Sequence, residues 1–262
     1  MPTARKRASE KSRKPTLSPT RIATYLECAV KYKYIYIDKI GKFYLRARPG
    51  YSFGSSLHRV LQQFHEEGES LSAEDLVAGL EQRWVRAGYE TEAQEQAHLE
   101  TGQQIVQAYH AAHQERAEAQ VETLATEKTL SYDMGAFKLS GRIDRIDRHA
   151  DGSLEIVDYK SGRLKTTPEE VAGDLAMNIY QLLLKRQHPE ARVFATLYCL
   201  RTGVSASAEL SEAAIEQLEQ DLRVLGAEIL ERDYMQLTPV PMDICEDCEF
   251  LSRCQRHWKK IR

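Results

Sequence analysis

Asp144 lies in Gly141-Arg142-Ile143-Asp144-Arg145-Ile146-Asp147, and Asp158-Tyr159-Lys160 closes the run that begins Leu154-Glu155-Ile156-Val157. Lys138 to Asp147 and Ser153 to Tyr159 alternate as strands, with Asp151-Gly152 as the turn signal between them, so the pair reads as a β-hairpin. Side chains alternate faces along a strand: Asp158 and Lys160 share one face, Val157 and Tyr159 the other. Whether Asp144 joins them depends on the loop. A tight Asp151-Gly152 turn sets Asp144 opposite Tyr159, on the wrong face. A loop of Ala150, Asp151 and a left-handed Gly152 sets it opposite Asp158. A site that uses all three groups therefore requires the longer loop or a compensating bulge.

Two facing carboxylates repel unless a cation lies between them. Their hard oxygens suit Mg²⁺ or Mn²⁺, which would activate a water and offset charge growing on a phosphate. Lys160 can orient or deprotonate that water, or neutralise the transition state. The plainer alternative is an edge hairpin whose Asp144, Arg145, Asp147 and Arg148 are only solvated.

Gly-x-x-Asp-Arg-x-Asp followed by Asp-x-Lys resembles the core pattern of the PD-(D/E)XK nuclease superfamily, in its RecB/AddB-like and CRISPR-associated RecB-like exonuclease branch. The resemblance implies an α/β fold with a restriction-endonuclease-like core: a central mixed β-sheet flanked by helices, with a helical insertion and an iron–sulfur clasp joining the termini. It also implies that His58, in Gly54-Ser55-Ser56-Leu57-His58-Arg59, ligates metal with Asp144 and Asp158. By pattern alone, Leu57, Val60, Leu61 and Phe64 form the apolar stripe of a helix over 55–67, with His58 beside it. Glu127, in a strand from Val121 to Leu130, matches a supporting acid, with Glu122 and Glu155 as competitors. Thr167, Pro168 and Glu170 open a helix running to about 186. Tyr180 on it matches the tyrosine of a Gln-x-x-x-Tyr motif whose glutamine is here Ala176. Tyr180 and Arg145 are the expected substrate contacts.

Five cysteines, with no secretory or membrane-spanning stretch, argue against a disulfide scaffold and for a cytoplasmic setting. Cys245, Cys248 and Cys254 could embrace a soft metal centre, with a fourth thiolate from Cys28 or Cys199. Cys199 reads as inert in the strand-like run 193–200. Cys28 ends a short helix opened by Ser18 and Pro19, with Ile22, Tyr25 and Leu26 facing inward. Spacing alone fits zinc as well as a 4Fe–4S cluster. The resemblance implies 4Fe–4S on Cys28, Cys245, Cys248 and Cys254.

A 262-residue chain can form one substantial domain. Residues 1–16 read as a flexible basic arm and 17–262 as a single RecB-like nuclease domain. Within it come a helical insertion (68–119, with helices over 71–88 and 93–118), a β-core (120–210) and a C-terminal helix with the cysteine triad (211–262). The net charge of −3 conceals asymmetry: thirteen Lys/Arg against three Asp/Glu put residues 1–48 at +10 and the remainder at −13. Arg253, Arg256, Lys259, Lys260 and Arg262 add a second basic stretch. Joined termini would make a track for a polyanion, with Tyr32, Tyr34, Tyr36 and Tyr44 as stacking groups or, alternatively, core.

The expected function is metal-dependent DNA hydrolysis by a single-strand-preferring exonuclease leaving a 5′-phosphate and a 3′-hydroxyl. Its partners would be single-stranded DNA or free ends and a helicase, CRISPR or repair protein, without a membrane. The alternative is a noncatalytic DNA-binding or assembly subunit with the same fold.

Overall fold

The computed structural model describes residues 14–115 and 121–258. Six strands form one mixed sheet: β1 (Thr16–Leu17), β2 (Glu122–Asp133), β3 (Lys138–Arg148), β4 (Leu154–Lys160), β5 (Val193–Cys199) and β6 (Ser205–Ala208). The order is β1-β3-β4-β5-β6, and β2 lies antiparallel along the other edge of β3. β1 runs parallel to the start of β3, and β4 antiparallel to its end. β4 and β5 are parallel, joined by the crossover that carries α6 (Pro168–Ala172) and α7 (Leu175–Gln187).

The β3–β4 loop takes the longer form. Arg145 faces Val157 and Arg148 faces Leu154, His149 N–H donates to Ser153 O, and Gly152 has φ 83°. One further step of this register sets Asp144 level with Asp158. Both strands are interior to the sheet, so the solvated edge hairpin does not occur.

Each face of the sheet buries its own apolar cluster. Under α1 (Pro19–Glu27), α7 and α8 (Glu212–Glu231) lie Ile22, Leu139, Ile143, Ile146, Ile156 and Leu182. The other face is covered by α3 (Pro49–Glu66), α4 (Ala73–Gln82) and α5 (Glu92–Glu115), through Phe53, Leu57, Val60, Leu61, Leu80 and Val157. The three- and four-residue spacing along α3 makes that stripe, and each such side chain contributes about 1.5–3 kcal/mol on burial. Cys199 is buried within β5, as expected of an inert thiol.

Several expectations are corrected. Lys14–Thr16 are not part of a free arm: Pro15 O accepts from Lys138 N–H and Thr16 begins β1; residues 1–13 lie outside the described set, as does the end of the insertion, 116–119. The helix expected over 168–186 breaks at Gly173, and Asp174 caps a new one by accepting from the Ala176 and Met177 amides. Leu26 points outward, 59% exposed. Tyr32 and Tyr34 are core, Tyr36 packs against the first cluster and Tyr44 lies tilted against Phe250 at 5.0 Å, so these rings pack within the fold rather than form a platform for bases.

The iron–sulfur clasp is also overturned. Among the described residues, no three cysteine sulfurs lie within mutual ligand distance; the one close group of potential ligands is His58, Glu127 and Asp144. Cys28 instead caps α2 (Ala29–Tyr32), its sulfur accepting from Lys31 N–H at 3.4 Å. Burial pushes the thiols of Cys248 and Cys254 up, favouring their neutral form. What joins the two ends of the fold is apolar packing: Val30 and Tyr34 against Phe250 and Cys254 near or in α9 (Leu251–Trp258). An Arg48–Glu249 ion pair at 2.9 Å lies alongside.

Candidate active site

Strict alternation along β3 fails where it matters. Leu139, Ile143 and Ile146 belong to the cluster beneath α7, whereas Arg145 and Asp147 reach His65 and Tyr109 or their neighbours across the sheet. The pattern slips by one residue at Asp144. Glu127, across from it on β2, has φ 47°, a left-handed conformation costly for a side chain with a Cβ. On the opposite edge, the β1 ladder covers residues 138–139 and the β4 ladder 145–148. Asp144 stands in this fork, and its Oδ2 accepts from Tyr159 N–H at 2.9 Å.

His58 arrives from α3. Its Nδ1 is 3.3 Å from Asp144 Oδ1 and its Nε2 is 3.1 Å from Tyr159 O. The helix can approach because residue 54 is glycine: a Cβ there would lie 2.9 Å from Ser161 Oγ, just past Lys160. His58, Glu127 and Asp144 each offer a ligand atom within 4.8 Å of the others. Asp158 stands beside this trio rather than within it. Its Oδ2 is buried, without a well-formed hydrogen bond, 2.6 Å from Lys160 Nζ.

The crowding of acids shapes every charge here. Burial, then the Asp144 charge, push the Asp158 carboxyl up to about 6, against the pull of Lys160. Glu127 rises for the same two reasons, although it also pairs with Arg142. Burial opposes the charged form of His58, but its hydrogen bond to Asp144 and the surrounding acids outweigh that and raise it. Lys160 is likewise held protonated: burial disfavours its charge, and Asp158, then Asp174 and Asp144, more than compensate. A histidine nitrogen with two carboxylates in mutual reach, and a third beside them, is a donor set that fits a divalent cation.

Tyr180 projects from α7 towards these acids, its phenol raised by burial and then by Asp158 and Asp144. It lies flat on β3 because residue 141 is glycine; a Cβ there would come within 2.6 Å of its ring. Arg145 is a correction: it is 8% exposed, turned to the opposite face and committed to Asp147, Tyr109, Tyr159 and His65, out of reach of a ligand in the groove. The sequence reading missed Asp174, which lines a groove with Lys160 and Tyr180, and the arginines Arg48, Arg59 and Arg163 around the His58 side. A helix cap was the available signal for Asp174; nothing in the local pattern marked the arginines.

A family model of the PD-(D/E)XK nuclease superfamily matches residues 16–255. The chain belongs to the PD-(D/E)XK nuclease superfamily. Membership and the candidate metal triad are consistent with a nuclease-type activity and with interaction with DNA. The cluster-bearing branch is not supported, since the cysteines do not assemble a ligand set. Among solved structures the chain is similar to SSO0001, at 12% identity over 96% of this chain and 89% of that one, with a TM-score of 0.34. A likeness of that size bears on nothing further. No curated protein matches the chain. Among the described residues no helix is long and apolar enough to cross a membrane.

Proposed function

We propose that this PD-(D/E)XK protein is a Mg²⁺- or Mn²⁺-dependent deoxyribonuclease, a single-strand-preferring exonuclease that leaves a 5′-phosphate and a 3′-hydroxyl. The observation that carries the reading is the convergence of His58, Glu127 and Asp144 beside the Asp158–Lys160 pair. His58, Asp144 and Glu127 would hold the cation, with Asp158, paired to Lys160, beside them. Bound there, it would supply Lewis acidity and a more acidic water.

The remaining work falls to the chain. Held protonated by the acids around it in the metal-free site, Lys160 is suited to act as a cationic donor that orients a phosphate oxygen and offsets its growing charge. Tyr159 steadies Asp144 through its amide and His58 through its carbonyl. A groove of about 890 Å³ leads to this point between Arg48, Arg59, Arg142 and Arg163, with Tyr51 exposed at its wall for a base to stack on. Beyond Lys160 the lining changes sign, to Glu27, Asp158 and Asp174. A polyanion is welcomed on one side and repelled on the other, which favours a strand end over a continuous strand.

Linear and circular single strands, labelled at either end, test this with Mn²⁺, Mg²⁺ or chelator. Metal-dependent release of nucleotides from the linear strand, with the circle spared, is expected. Cutting of the circle at an equal rate would remove the exonuclease assignment. Binding without any cutting would leave the noncatalytic DNA-binding subunit instead.

A further inference from the structure

We propose that Tyr159 is a positioning residue: its buried phenol locks the strand whose backbone holds Asp144 and His58, and through it the helical insertion reaches the catalytic groups. The inference rests on the nuclease reading above.

Tyr159 faces two environments at once. Its amide donates to Asp144 Oδ2 at 2.9 Å and its carbonyl lies 3.1 Å from His58 Nε2. Its side chain is buried on the α3 side of the sheet, with its ring edge-on to that of His58 at 5.9 Å between centroids. The phenol oxygen lies 2.7 Å from Arg145 Nη1, 2.8 Å from the Tyr109 hydroxyl on α5 and 3.3 Å from His65 Nε2 on α3. Arg145 is itself anchored on Asp147 at 2.8 Å, and Asp147 accepts from the Thr123 hydroxyl of β2 at 2.9 Å. His65 is held by Glu69 at 2.7 Å, and Glu69 by His113 of α5 at 2.6 Å.

This network is an expensive way to fill space. Burying a guanidinium costs several kcal/mol before its partners offset it, and apolar side chains of the same volume would serve stability as well. Here Arg145 Nε is left buried without a partner. What the polar arrangement provides, and an apolar one would not, is direction. It sets the Tyr159 side chain about its axis, and hence the two flanking peptide planes that address Asp144 and His58. Catalytic groups tolerate displacements of only about 0.5 Å, and groups that orient metal ligands typically matter about 10–100-fold in metal affinity or activity.

The test compares full-length wild type, Tyr159→Phe and Tyr109→Phe. Free Mn²⁺ is counted by electron paramagnetic resonance in the absence of DNA, and kcat and KM are measured on a labelled single strand. Tyr159→Phe should weaken Mn²⁺ binding about 10–100-fold and lower kcat comparably, with KM within a few-fold. Tyr109→Phe, which leaves β4 untouched, should shift both in the same direction by less. A folded Tyr159→Phe with wild-type Mn²⁺ affinity and kcat would overturn the proposal. If that variant fails to fold, Tyr109→Phe decides by the same criterion. A wild type that neither binds Mn²⁺ nor cuts would overturn the nuclease reading, and this inference with it.

Discussion

Asp144 Oδ2 accepts the Tyr159 amide just past Arg145–Val157, the last backbone pair between β3 and β4. A side chain thus continues the work of the ladder while its second oxygen faces His58. Asp144→Asn keeps an acceptor for that amide but removes the charge. We expect cleavage to fall at least about 100-fold, with the fold retained. Urea unfolding in chelator beside a cleavage assay checks both; a variant that cuts at the wild-type rate refutes the role of Asp144.

Lys160→Ala should reduce cleavage by about 10²–10³-fold while single-strand affinity changes only a few-fold, because the arginines of the entry groove remain. Fluorescence anisotropy and nucleotide release read the two separately. Full activity in this variant would overturn the assignment.

The parts of this site that follow local rules were readable beforehand. The helix that carries His58 was readable from the stripe of α3, whereas turn rules left two loop forms open and only a site that uses Asp144 with Asp158 required the longer one that Gly152 makes. Glu127 was identified as a supporting acid, yet its membership of the close trio depends on a left-handed backbone that no propensity signals. Arg145 was misread although alternation from Asp144 already turns it to the Val157 and Tyr159 face, away from Asp158 and Lys160. The cysteine expectation failed because spacing states which thiols are near in sequence, not whether their sulfurs meet within ligand distance.

Gly141→Ala would drive a methyl group into the Tyr180 ring and towards Leu183. Overpacking of this kind costs about 1–3 kcal/mol and displaces Tyr180 from the acids. Tyr180→Ala should therefore recover part of the stability lost by Gly141→Ala, a coupling that a double-mutant cycle by thermal unfolding would measure. Strict additivity would show that the contact is relieved elsewhere.

His65 gives the fold an acid limit. Burial holds its imidazole neutral down to about 4, despite the favourable Glu69 contact. In the unfolded chain it takes up a proton near 6.5. The unfolded state binds more protons between these values, so stability falls as pH drops from about 6.5 towards 4. The loss is on the order of 2–3 kcal/mol. His65→Gln should flatten that part of a urea-derived stability profile; an unchanged slope would assign the acid sensitivity to other groups.

The seam of Val30 and Tyr34 with Phe250 and Cys254 has a consequence in time. Its two halves are separated by nearly the entire described chain, so on the ribosome the earlier half waits uncovered until α9 emerges. Closing so long a loop is slow compared with local helix formation. The sheet and its acids are therefore complete in sequence before the seam can shut, which makes this closure a late event in biogenesis and the stage most exposed to aggregation.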